Sequence, residues 1–319
     1  MKQYLNHKNV IVLLLILFCI LTGCVSTPAI YPDHDVSIEN MKQTVQYLSE
    51  LNPPRNYLNT ESLEKAVNYI NREFNKYGIT AEEQPFEVSG KLYKNIIASV
   101  GPTEGARIVV GAHYDVYGDL PGADDNASAI AGLLEIARFA KTHAQELPYR
   151  VDFVAYTLEE PPFFGTKKMG SYIHANFLHE NKVQVKGMIC LEMIGFYNDL
   201  KNSQSYPLSL MGLFYSNTGD FIGVISNYGS SSFAKQISRH LKATSSKVES
   251  LKAPSFLTGV DFSDHRNYWE FGYDAVMITD TAFYRNHNYH EPTDTIGTLD
   301  FNRMKQVVKG ISCSLINMK

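Results

Sequence analysis

Basic charge, cysteine and long apolar runs are all scarce in this 319-residue chain. Lysine and arginine number 29 against 33 acidic residues, a net charge of −4, so the chain lacks the basic excess that a nucleic-acid backbone selects. Four cysteines are too few for the dense disulfide framework of small exported domains. Two of them, Cys190 and Cys313, lie in apolar stretches where a buried free thiol is the expected state, with a bond between them the less favoured alternative. The apolar run from Val10 to Leu21 falls short of the roughly 20 residues that span a membrane comfortably. No internal repeat, coiled coil or low-complexity block is found. What remains, at 44% hydrophobic and 19% charged residues, is an ordinary globular composition with a sizeable core in one large domain or two small ones.

The N-terminus reads differently. Lys2 and Lys8 precede the apolar run, and Thr22-Gly23-Cys24 follows it, which is the layout of an export signal. Small residues directly before a cysteine resemble the lipobox of bacterial lipoproteins, in which the cysteine becomes the lipidated first residue. That resemblance implies a signal peptide over 1–23, lipid on Cys24, and attachment to the cell envelope, in the outer membrane where one exists, with the rest of the protein outside the cytoplasm. Residues 24–36 carry Ser26, Pro28 and Pro32 with little hydrophobic pattern and read as a tether. The mature chain would carry 27 basic and 33 acidic residues, about −6, which argues further against a nucleic-acid partner.

Beyond the tether, hydrophobic spacing predicts helices near 38–52 and 60–77, the second closed by Gly78. Extended segments follow near 80–89 and 92–100. Apolar strands at 108–110, 151–157, 187–193 and 275–279 alternate with helical patterns at 126–141, 231–242, 264–271 and 300–316. The fold class is therefore α/β, with a mixed, largely parallel central sheet covered by helices on both faces.

Five side chains of metal-binding type, His113, Asp125, Glu160, Glu192 and His290, are spread along this pattern, and Glu159 directly precedes one of them. Two imidazoles and three carboxylates suit a pair of divalent ions, one carboxylate bridging and each ion taking one further carboxylate and one histidine. His113, Glu159, Glu160 and Glu192 fall at the downstream ends of predicted strands, the edge where open α/β sheets place their sites. Asp125, in the turn Pro121-Gly122-Ala123-Asp124-Asp125-Asn126, is assigned the bridge; N-capping of the following helix is compatible with that role. The adjacent pair Glu159-Glu160 can divide its work, one residue binding metal while the other handles protons. Asp115, two residues after His113, can orient the imidazole or its loop. The mixed donor set favours zinc, and manganese or cobalt suit it too.

His113-x-Asp115, the run Pro-Gly-Ala-Asp-Asp-Asn-Ala-Ser at 121–128, Glu159-Glu160, Glu192 and Tyr289-His290 together resemble the zinc aminopeptidases of peptidase family M28, over roughly residues 95–315. The resemblance implies a single peptidase domain over 37–319 and two zinc ions. Asp125 would bridge them, Glu160 and His290 would complete one, and His113 and Glu192 the other. Glu159 would be the general base, with Asp115 supporting the ligands from behind. Glu192 departs from the aspartate common in the family, which opens the affinity of the second ion and the substrate preference. Phe163 and Phe164 are candidates for lining a substrate pocket or for packing on the surface. Asp264 and His265 are better read as part of a short helix capped by Ser263 or Asp264 than as ligands.

The activity implied is removal of N-terminal residues from peptides. Within the same fold the alternatives are a one-zinc glutaminyl cyclase or a carboxypeptidase-like enzyme; outside enzymology, the alternative is a surface-binding lipoprotein that has lost catalysis. Retention of all five ligand types and of Glu159 favours the dimetal hydrolase.

Overall fold

The computed structural model of the protein describes residues 36–244 and 246–318. The signal segment, Cys24 and nearly all of the tether lie outside the described residues, so the lipid-anchor expectation has no structural counterpart here. Among the described residues, no helix is long and apolar enough to cross a membrane.

Helix α1 (Ile38–Ser49) opens with the Ser37 hydroxyl accepting from the Asn40 amide and buries Met41, Thr44, Val45 and Leu48, one stripe at helical spacing. Helix α2 (Thr60–Lys76) buries Leu63, Val67, Ile70 and Phe74 in the same manner. Gly78, at φ 70°, takes the left-handed conformation that reverses the chain beyond it. A hairpin of β1 (Ala81–Val88) and β2 (Lys91–Val100) follows, then β3 (Arg107–His113), α3 (Ala129–Thr142), β4 (Arg150–Tyr156), α4 (Gly170–Glu180) and β5 (Val185–Glu192). The chain then forms β6 (Asn198–Lys201), β7 (Thr218–Gly219), β8 (Ile222–Ser226), α5 (Ser231–Ala243), β9 (Val248–Lys252), α6 (His265–Glu270), β10 (Ala275–Thr279) and α7 (Phe301–Asn317).

Eight strands form one sheet in the order β1-β2-β4-β3-β5-β10-β8-β9, while β6 and β7 pair separately. The central neighbours β4, β3, β5 and β10 are mutually parallel; β1, β2 and β8 join antiparallel and β9 is parallel to β8. This is the mixed, largely parallel α/β sheet expected. Residues alternate between two cores: Val110, Ile189, Leu191 and Ile278 face the larger one, whereas Val109, Met188, Cys190 and Met277 face the smaller. Burial on both sides is why these strands read as continuous apolar runs rather than as alternating ones.

Two expectations change. The helix predicted from residue 126 begins at Ala129, because Asp125 (φ −101°, ψ 88°) and Asn126 (φ −134°, ψ 35°) leave helical geometry within a widened turn over Ala123–Ser128. Helix α4 and strands β8 and β9 had no counterpart in the sequence reading. Cys190 and Cys313 are both buried and free, and the Cys190 thiol lies 3.1 Å from the Ser263 hydroxyl.

Candidate metal centre

Because β4, β3, β5 and β10 run parallel, their C-terminal ends share one edge, and each delivers a polar group there. His113 ends β3 and Glu192 ends β5, while Glu159 and Glu160 follow β4 directly. Asp125 comes from the widened turn after β3, and His290 from the loop after β10. Gly122 makes that turn possible at φ 59°: a Cβ there would stand 2.2 Å from the Asp125 carbonyl oxygen. Positive φ values outside glycine are uncommon, yet Leu158, Met193 and His290 all have them (59°, 46° and 56°), directly before Glu159, directly after Glu192 and at His290 itself.

The five predicted ligands converge. Asp125 lies between the histidines, its Oδ1 3.3 Å from His113 Nε2 and its Oδ2 3.2 Å from His290 Nε2. Glu192 Oε2 is 3.4 Å from His113 Nε2, and Glu160 Oε2 is 3.3 Å from His290 Nε2. Two groups of metal-holding geometry result, His113-Asp125-Glu192 and Asp125-Glu160-His290, sharing Asp125; a further grouping joins His113, Glu159 and Glu160. Glu159 Oε2 is 3.8 Å from His113 Nε2, farther out than the other acids.

These residues fit a pair of ions on structural grounds. His113 Nε2, Asp125 Oδ1, Glu160 Oε1 and His290 Nε2 are buried and make no hydrogen bond, a state polar atoms in protein interiors rarely keep. Donor atoms bound at about 2.0–2.1 Å in a tetrahedron stand about 3.3 Å apart. The separations here are 3.2, 3.3 and 3.4 Å. His113 Nδ1 donates to the Asp115 carbonyl at 3.2 Å, which turns the Nε2 lone pair toward the carboxylates.

Electrostatics point the same way. Burial pushes Glu159 well above the ordinary carboxylate range, with His113 opposing and Glu160 and Glu192 adding to the rise. Burial and the neighbouring Asp125 raise Glu160 to about 7 against the pull of His290, and Glu192 is raised by burial as well. Burial opposes ionisation of Asp125, but His113 and His290 hold it below its usual value. His290, despite a burial cost, is lifted to about 10 by Asp125 and Glu160. Four acids facing two imidazoles is an excess of negative charge that divalent cations would neutralise.

Positioning is shared by two aspartates. The Asp115 carboxylate accepts from the amides of Glu159 and Glu160, both at 3.2 Å. Asp294 does the same for Asp124 and Asp125, at 2.9 and 3.1 Å. Asp115 therefore acts on the ligands' backbone and not on the reacting atoms. The sequence reading noted Asp294 only as part of the run around His290 and gave it no role. Arg55, fully buried, donates to the carbonyls of Leu48, Tyr114, Pro121 and Gly122 and so pins the loop that carries Asp115 and leads to Asp125.

One expectation is corrected. Neither Ser263 nor Asp264 caps α6 with its side chain, because the Ser263 hydroxyl donates instead to Glu192 Oε2 at 2.6 Å. Asp264 is fully buried and raised to about 7 by burial and the charges of Glu192 and Asp115, and it lies outside the ligand groups. Phe163 packs edge-on to Tyr57, and Phe164 packs against Phe262 and Arg266. Neither lines the cavity beside Glu192, which is walled by Tyr206, Met211, Phe221, Ile225, Leu251 and Phe283 among others.

Comparison with known proteins identifies the family. The family model for peptidase family M28 matches residues 95–313. An uncharacterised protein of Escherichia coli strain K12, YfbL, is 42% identical over 90% of both chains. A probable leucine aminopeptidase of Arthroderma otae is 25% identical over 86% of this chain and 71% of its own. Among solved structures, a glutaminyl cyclase of Fimbriiglobus ruber superposes with a TM-score of 0.70 at 20% identity, covering 92% of this chain and 99% of that one.

Proposed function

Because this chain belongs to peptidase family M28, we propose that it is a dimetal aminopeptidase, holding two zinc ions and releasing N-terminal residues from peptides. The observation that carries the reading is the pair of ligand groups sharing Asp125. His113, Asp125 and Glu192 would hold one ion, and Asp125, Glu160 and His290 the other. Ions held there supply Lewis acidity toward a peptide carbonyl and make water a better nucleophile at neutral pH.

The protein's own residues do the rest. Glu159 stands at the rim of the ligand cluster with a carboxylate whose proton affinity is raised by burial, suited to accept a proton and give it back. It takes the proton of the attacking water and returns it to the departing amine. Asp115 fixes the backbone of Glu159 and Glu160 together, so base and ligand keep one relative position. The carboxylates of the site suit recognition of the free α-amine that marks a chain end.

The deciding experiment uses Glu159→Gln. It should retain two zinc equivalents while peptide hydrolysis falls by about 10²–10⁴-fold. Unchanged turnover would remove Glu159 from the reaction. One zinc equivalent, cyclisation of an N-terminal glutamine and no aminoacyl hydrolysis would replace the reading with a cyclase. Export and lipidation belong to the same proposal: palmitate labelling should be lost in Cys24→Ser, and labelling that persists in that variant would refute the anchor.

A further inference from the structure

The cavity that opens beside Glu192 has an order set by strand register. On the face of the smaller core, Glu192 of β5 stands beside Thr279 of β10, Thr279 beside Gly223 of β8, and Gly223 beside Glu249 of β9. The next row on that face is Cys190, Met277, Ile225 and Leu251. Three strand spacings put Glu249 about 14 Å from Glu192 along the first row. Gly223, between them, has no side chain to divide the space.

All of these residues except Cys190 line one cavity, and the second row makes its apolar floor. Its other walls include Tyr206, Met211, Tyr215, Phe221 and Phe283. Among the described residues that line it, Glu192 and Glu249 are the only charged ones, with no lysine or arginine. Lys242 and Lys247 share a separate groove with Glu249, but Lys247 is paired with Asp220, and among the described residues no lysine or arginine forms an ion pair with Glu249. The result is an apolar channel with the metal centre at one end and a half-buried, unneutralised carboxylate toward the other.

A leucine side chain reaches about 4 Å from its Cα to its methyl carbons and leaves the outer part of such a channel unfilled. Lysine or arginine reaches about 6–7 Å, lays an aliphatic stem on apolar walls and ends in a cation. We propose that this channel receives the side chain of the substrate's first residue and that Glu249 makes lysine or arginine its preferred occupant. The proposal rests on the aminopeptidase reading above and adds the substrate class to it. Glu249 acts as a specificity residue, remote from the bond that breaks.

The test is a panel of aminoacyl-4-nitroanilides, arginyl, lysyl, norleucyl, leucyl and glutamyl, assayed with the zinc-loaded protein. Norleucine matches the lysine stem without its charge. The arginyl and lysyl substrates should exceed norleucyl by about tenfold in kcat/KM, the size expected of a charge-assisted contact. Glu249→Gln should bring that ratio close to one, and Glu249→Lys should place glutamyl above lysyl. A wild-type ratio of one or below, or a ratio that survives Glu249→Gln, overturns the proposal while leaving the aminopeptidase reading intact. Hydrolysis of none of the panel overturns that reading first and this proposal with it.

Discussion

The two halves of the candidate metal centre are built from different material. His113 and Glu192 close strands β3 and β5, which pair within the sheet, and His113 is 1% exposed. Glu160 and His290 sit on loops beyond β4 and β10, and the His290 side chain is 21% exposed. The His290 ring is stacked between Tyr117 and Tyr289, with centroids 4.2 and 3.9 Å away. One half is thus positioned by backbone pairing, the other by ring stacking and a clamped loop. A sheet-held half is organised before any ligand arrives, whereas a loop-held half can yield to what approaches it.

Asp125 belongs to both halves, so Asp125→Ala should cost the most: metal analysis should fall from two equivalents to less than one and hydrolysis to background. A variant keeping one tight equivalent would show that the halves are independent. The next largest effect should separate them. In metal-free protein, His113→Ala should lower unfolding stability by about 2 kcal/mol or more, because it opens a cavity in a buried site. His290→Ala should cost under about 1 kcal/mol in the same urea titration. Equal losses would erase the contrast.

Smaller effects test the supports. Asp115→Asn and Asp294→Asn each remove one acceptor from a two-amide clamp and should weaken metal affinity by about 10–100-fold, measured by competition with a chelator. Ser263→Ala should weaken only the ion on the strand-held side, with zinc release becoming biphasic. Tyr117→Ala should act only on the loop-held side, by about two- to tenfold in affinity, as expected for one lost ring contact. If Tyr117→Ala and Ser263→Ala gave the same release profile, the division into halves would be wrong.

The sequence was most readable where one physical cause dominates. Strand β10 was placed at Ala275–Thr279 to the residue, since an apolar run buried on both faces has no other reading between a short helix and a polar loop. The candidate ligands His113, Glu160 and Glu192 stood out because their types are costly to place at the ends of buried strands without a purpose. Strand β9 was not, because Val-Glu-Ser-Leu-Lys is short and half-exposed at a sheet edge. Helix α4 carries two histidines and no clean apolar stripe, so its pattern is weak. The supporting residues were hidden for another reason. Asp294 acts on amides that lie 169 and 170 positions away, and Ser263 on an acid 71 positions away. Such partnerships leave no local spacing to detect.

Arg55 gives the family match a boundary problem. It lies 40 residues before the matched segment begins at 95, yet its guanidinium joins four main-chain carbonyls, three of them in the loop between His113 and Asp125. Ser37 and Asn40, earlier still, bond to Glu135 on α3. The unit of recognition is therefore smaller than the unit that folds. A chain shortened to the recognisable segment would keep every candidate ligand and lose the keystone of the arch that spaces them.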